Sequence, residues 1–174
     1  MPPTLGSAST DLLSGLGPPP LAAGDTLLLG PWVSSILPST TEPTLAHRLP
    51  GARAELTVHL GPRQDWLSEA GLAAIGTGTW SVTPDCNRIA LRLDGPPLER
   101  RHHGELPTEG LVNGAVQALP DGQLAIFLAD HPTTGGYPVV AVVDPGSLGL
   151  CAQLRPGAAV TFRVLPAAGP DRIT

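Results

Sequence analysis

The sequence predicts a mainly β protein: a β-barrel with one or two short helices, preceded by an incomplete subdomain. Three observations predict it. Short apolar runs with period-two alternation recur from residue 53 onward, the signature of half-buried strands. The 21 Gly and 21 Pro are spread along the chain rather than gathered into repeats, so turns separate the runs. Residues 1–50 are poorly supplied with strand patterns and read as part of a domain. The expected division is therefore residues 1–50, a barrel over 51–166, and a tail over 167–174.

The elements follow in order. Ser9 or Thr10 is placed to cap one helical turn carrying Leu12, Leu13 and Leu16, which Gly17 and three prolines end. Gly24-Asp25 turns into a short strand over 26–29, and residues 38–50, rich in Pro, Ser and Thr, read as a linker. Leu56, Val58 and Leu60 alternate with Glu55, Thr57 and His59 in the first clean strand, which Gly61-Pro62 stops. Residues 65–75 are the best helix candidate, with Asp65 as N-cap and Trp66, Ala70, Ala73 and Ala74 near one face; Gly71 weakens the pattern. A strand over 79–82 follows. Over 88–94, Ile89, Leu91 and Leu93 are expected inward and Arg88, Arg92 and Asp94 outward. Two strands, 111–119 and 124–128, meet at a Pro120-Asp121-Gly122 turn. The β-branched run 139–143 reads as a strand buried on both faces. A short helix over 147–154 precedes a last strand in which Val160, Phe162 and Val164 alternate with Thr161 and Arg163.

Composition excludes several functions. The hydrophobic fraction of 41% supports a packed core, and with 3% aromatic residues that core must be aliphatic. Ten arginines, with no lysine, face fifteen Asp and Glu for a net charge of -5, which argues against nucleic-acid binding and docking on anionic membranes. Cys86 and Cys151 are too few for a disulfide framework and read as small buried residues in a reducing compartment. Met1-Pro2-Pro3-Thr4 lacks the pattern of a secretory signal, and the longest apolar-rich run, 27–37, is broken by Gly30 and Pro31. A cytoplasmic, soluble protein is the expectation. No metal site is expected: His102 and His103 are adjacent and point opposite ways on an extended loop. Gly76-Thr77-Gly78-Thr79 lacks a third glycine, and neither a Walker lysine nor a Gly-x-Ser-x-Gly elbow occurs.

One stretch carries candidate chemistry. Asp130-His131-Pro132-Thr133-Thr134-Gly135-Gly136-Tyr137-Pro138 lies between two apolar runs. Gly135 and Gly136 can take φ > 0, which allows a sharp turn or close approach to a ligand. Successive N–H groups there can cup an anion, with the Thr133 and Thr134 hydroxyls as further donors; a capped β-turn is the plainer reading. Upstream, Glu109, Asn113 and Gln117 differ by even numbers and would share one face of a regular strand. That face is either solvated or, in a barrel mouth, a set of convergent ligand groups.

The order of these motifs then carries a resemblance. Glu109-Gly110, Gly114-Ala115-Val116-Gln117, Asp121-Gly122-Gln123, Asp130, Thr133-Thr134-Gly135-Gly136-Tyr137-Pro138 and Ala152-Gln153-Leu154-Arg155-Pro156-Gly157 together resemble the biotin-dependent carboxyltransferase family. That family includes allophanate hydrolase subunit 2, KipA and the C subunit of 5-oxoprolinase. Leu5-Gly6-Ser7 to Gly17 and Gly24-Asp25 are similar to its middle segment, and members carry a further stretch with a Gln-Asp-x-Gly-Arg motif ahead of it, so a domain fragment or split product is expected. The chain departs from the family at Cys86-Asn87-Arg88, where a Ser is frequent, at Asn113, where an apolar residue is common, and at His131-Pro132, where a Gln often precedes the Thr pair.

The resemblance implies a cyclophilin-like β-barrel for the second subdomain. It implies a component of an ATP-dependent amide or lactam hydrolase, foremost 5-oxoprolinase opening 5-oxoproline to glutamate, or a protein like allophanate hydrolase subunit 2. ATP would be bound with partner proteins: one that is KipI-like or like the B subunit of 5-oxoprolinase, and one like its A subunit. The site so implied joins Glu109 and Asp130 as catalytic carboxylates to Arg88, Gln117, Thr133, Thr134, Gly135, Gly136 and Tyr137 as substrate-binding residues. Two alternatives stand beside it. One is a KipA-like, non-catalytic partner of a KipI-like kinase inhibitor. The other is a biotin-dependent carboxyltransferase, whose biotin carrier would come from another chain, because this one has no lysine to carry biotin.

Overall fold

The computed structural model describes residues 10, 14–19, 21–27, 51–104 and 106–166. The chain divides into two compact units, residues 1–44 and 45–174. In the first, Gly24-Asp25 does turn the chain: the Asp25 amide donates to the Ala22 carbonyl at 3.1 Å, and Ala22 N–H to the Asp25 carboxylate at 2.7 Å. The expected helical turn through Leu12 and Leu13, most of the strand over 26–29, the linker, Glu105 and the tail lie outside the described residues.

The second unit is built on a closed barrel, as its alternating runs predict. In chain order the elements are β1 (Arg53–Leu60), a 3-10 turn (Gln64–Trp66), α1 (Glu69–Thr77), β2 (Thr79–Cys86), β3 (Ala90–Asp94), β4 (Glu109–Gly110), β5 (Ala115–Ala118), β6 (Leu124–Phe127), β7 (Thr134–Gly135), β8 (Val139–Val143), α2 (Pro145–Cys151) and β9 (Ala159–Leu165). Seven strands close in the order β1-β8-β5-β6-β3-β2-β9. Closure is parallel, β1 running beside β9 from Arg53 opposite Ala159 to His59 opposite Leu165; the other barrel pairings are antiparallel. Closing the sheet removes the free edges that an open sheet would expose. Among the described residues, the remaining two strands, β4 and β7, pair only with each other and form a short outer ribbon.

The interior is aliphatic, as the composition requires. Leu56, Val58, Leu93, Leu124, Ile126, Val140 and Val160 are fully buried there, with Trp80 and Phe162 as its aromatic members. A second, smaller apolar cluster of Leu111, Ala115 and Val139, edged by Phe127 and Val142, lies apart from it. Along β5 and β8 the neighbours Val116 and Val140 face inward, so this second cluster lies on the outer wall, beneath the ribbon.

The structure corrects several expectations. The helix expected over 65–75 splits: Asp65 sits in the 3-10 turn, and α1 begins after Ser68, whose hydroxyl accepts from the Gly71 amide at 3.1 Å. Ser68 thus supplies the cap assigned to Asp65. Gly71 and Ile75 are its buried residues; of the expected face of Trp66, Ala70, Ala73 and Ala74, Ala74 packs against the core while Ala70 and Ala73 are exposed. Leu60 and Ile89, expected inward, are exposed at strand ends where the alternation no longer faces the core. The strand expected over 111–119 breaks at Gly114, which takes φ +87 in a turn that L side chains disfavour. Only residues 115–118 remain in the barrel, so Glu109, Asn113 and Gln117 do not share one strand face.

Candidate functional site

Two places gather the candidate side chains. The first is a pocket of about 400 Å³ where the β2–β3 turn, the segment after β6 and the end of α2 meet. Asn87 shapes the turn: its side-chain oxygen accepts from the Ile89 amide at 2.8 Å and from Ala90 at 3.2 Å, a local bond that favours turns. The β3–β6 ladder then runs past its strand ends, Leu128 N–H donating to Ile89 at 2.8 Å and Asp130 N–H to Arg88 at 3.2 Å. This brings the two side chains together, Arg88 Nε lying 3.4 Å from an Asp130 oxygen. Both are more than half exposed, at 66% and 52%. Leu91, Leu128, Leu148 and Leu154 form the apolar wall behind them, with Cys86 and Asn113 at its sides.

The second place is the outer ribbon. Glu109 stands opposite Gly135, and Gly110 opposite Thr134. Further backbone bonds extend the ribbon, from Leu111 N–H to Thr133 at 2.9 Å and from Leu106 N–H to Gly136 at 3.2 Å. The carboxylate of Glu109 is gripped by the Arg63 guanidinium through two hydrogen bonds, the Nε contact at 3.1 Å. That pairing, foremost its hydrogen bond, holds the Glu109 carboxyl below the ordinary range and raises Arg63 above its own. Thr133 and Thr134 are exposed, and Tyr137 is 38% exposed.

Gly135 and Gly136 do not adopt positive φ, contrary to the turn expected there. With neither glycine left-handed, the nest expected at the glycine pair is missing, and β7 runs extended instead. Glycine at 135 answers a different need. A Cβ there would lie 2.9 Å from Gln117 Nε2 and 2.9 Å from Leu111 Cδ1. Gln117 itself is 2% exposed on the outer wall, not in the barrel mouth, and donates to the Tyr137 carbonyl at 2.9 Å.

Of the expected residues, the structure brings Arg88 to Asp130, and Glu109 and Gln117 to the Thr133–Tyr137 segment. The same chain segment, 130–137, joins the two groups. Arg63 escaped the sequence reading because its partner lies 46 residues away, a separation that carries no local pattern. Among the described residues, no three His, Cys, Asp or Glu side chains gather as metal ligands. The His102 ring instead lies 5.6 Å from that of Trp66.

Residues 1–164 match the family model for the carboxyltransferase domain, subdomain A and B. The chain belongs to this family. It is 32% identical over 165 residues to the C subunit of 5-oxoprolinase from Escherichia coli, covering 93% of this chain and 52% of that protein. The chain thus spans about half the length of this relative. The crystal structure of TTHA0988 superposes with a TM-score of 0.70 at 34% identity, over 92% of this chain and 30% of the other. The urea amidolyase of K. lactis shares the fold, with a TM-score of 0.63 at 24% identity over 67% of this chain and 8% of that one. The carboxyltransferase-family barrel expected from the motif order is the one the chain adopts, and no helix among its described residues is long and apolar enough to cross a membrane.

Proposed function

We propose that this chain is part of a component like the C subunit of 5-oxoprolinase, which works with other proteins in the ATP-dependent hydrolysis of a cyclic amide, 5-oxoproline to glutamate. The similarity to the Escherichia coli protein over nearly the whole chain carries this reading.

The geometry supports a division of labour. A cyclic amino-acid lactam offers a carboxylate and a ring amide. Arg88 and the exposed Thr133 and Thr134 hydroxyls are suited to the carboxylate, since charge-assisted bonds to a guanidinium are the strong ones. Asp130, beside Arg88 and half exposed, is suited to take a proton from the attacking water or to orient the ring N–H. Glu109 is poorly suited to that step, because both its oxygens are engaged by Arg63 and that pairing lowers the basicity of its carboxylate. Its part is to fix the ribbon. ATP is assigned to the partner proteins, in keeping with these 174 residues having no Walker lysine.

The test is 5-oxoproline-dependent ATP hydrolysis with partners like the A and B subunits of 5-oxoprolinase added. Asp130→Asn combined with Thr134→Val is expected to lower turnover at least ~100-fold, the lower end of a general base's contribution. Unchanged turnover in that double variant would sink the site assignment. No 5-oxoproline-dependent hydrolysis in any reconstitution would sink the reaction.

A further inference from the structure

We propose that Gln117 is the positioning residue of the Thr133–Tyr137 segment. It holds that segment against the outer barrel wall through the Tyr137 carbonyl and touches no ligand. The functional importance of the segment rests on the reading above; the contact itself does not.

Three features of the wall converge on this role. First, Gln117 is the one buried polar side chain among the described residues. A buried amide costs stability unless it is hydrogen-bonded, and this one donates to Tyr137 at 2.9 Å. Second, the β5–β8 pairing shifts register just here, Val116 facing Ala141 and Gln117 facing Val139. β8 is entered through Pro138, which has no N–H to offer the ladder. The side chain supplies a bond to the residue before that proline, while Ala118 N–H reaches the Pro138 carbonyl at 3.1 Å. Third, Gly135 lies against the same side-chain nitrogen with no room for a Cβ. Gln117 is therefore wedged between two points of one segment, the Gly135 backbone and the Tyr137 carbonyl. That fixes residues 135–137 relative to the wall and leaves the Thr133, Thr134 and Tyr137 side chains facing outward.

The experiment is hydrogen exchange on the ligand-free full chain. Gln117→Met keeps the length and loses the donor. The Leu106 and Leu111 amides, which bond Gly136 and Thr133, are expected to exchange about five- to tenfold faster, as loss of one net hydrogen bond predicts. The β3–β6 amides keep their protection. Gly135→Ala, which leaves Gln117 in place but crowds it, is expected to quicken the same two amides. Gln117→Glu adds a readout specific to the donor: protection of the segment recovers at about pH 5, where a buried carboxyl is protonated and donates, and is lost at about pH 8. Unchanged exchange at Leu106 and Leu111 in both Gln117→Met and Gly135→Ala overturns the proposal. So does equal acceleration throughout the barrel, which marks a general packing role. Failure of the 5-oxoproline assay leaves these outcomes untouched.

Discussion

Inside the barrel, Leu56, Leu93, Leu124, Ile126, Val140 and Val160 belong to one continuous buried cluster that draws on all seven strands. On the outer wall, the ribbon rests on the small cluster of Leu111, Ala115 and Val139, edged by Phe127 and Val142, with polar fastenings at Arg63–Glu109 and Gln117–Tyr137. The difference separates two jobs. Apolar burial over the interior carries the free energy of folding, because it scales with area removed from water. The ribbon buries little and is held by directional contacts, so it presents side chains at defined places without deciding whether the barrel forms. Segments that carry binding groups are commonly loops set on a rigid scaffold in this way.

The sharpest way to break this comparison is a matched truncation. Leu93→Ala is expected to cost about 2–5 kcal/mol in urea unfolding, as a cavity in a closed interior does. Leu111→Ala, in the small outer cluster, is expected to cost about 2 kcal/mol or less. Equal losses would mean that the ribbon is part of the folding core.

The cysteines sharpen the same contrast. Cys151 sits fully buried in the interior cluster, and burial pushes its thiol up to about 12. Cys86 is half-buried and lines the pocket. Alkylation of the native protein is expected to modify Cys86 on the order of 100-fold faster than Cys151, since the thiolate is the reacting form and access is required. Comparable labelling of both thiols would show that the interior opens readily.

The smallest expected effect concerns acid. Arg63 lowers the Glu109 carboxyl from the unfolded-state value of 4.5. The stability this adds is present above about pH 4.5 and is lost as pH falls through the lower folded value. Asp144 behaves likewise, held down by the Gly146 amide and by His59 3.1 Å away. Glu109→Gln is therefore expected to flatten, but not abolish, the decline in urea midpoint between about pH 6 and pH 3. The change is small because the pair is partly solvated. An undiminished decline would mean that Glu109 is not held by Arg63 in solution.

Much of the barrel is legible in the sequence. Alternation at Leu56 and Val58, at Leu91 and Leu93, and at Val160 and Phe162 reports which side chains face the core. A period of two survives any tertiary arrangement. The run at 139–143 is likewise readable, its residues buried on both faces except for partial exposure at Val142. Boundaries are less so. Asp65 and Ser68 are both good caps by residue type, and the choice between them depends on what packs behind α1.

The candidate site divides in the same way. Residue types in order establish that Asp130 and Thr133 to Tyr137 occupy a segment between two strands, with Glu109 and Gln117 ahead of it; that much is local. Three matters were decided only in three dimensions. Arg63 captures Glu109 across 46 residues. Gly114 cuts short what reads as one strand over 111–119, leaving only residues 115–118 in the barrel. Gln117 turns from a candidate ligand group into a buried fastening, and Gly135 is required by that side chain rather than by a turn. The physical reason is common to all three. Periodicity and composition report how a side chain relates to its own strand, whereas pairing and burial depend on which distant segment arrives opposite it, which strand order and register alone determine.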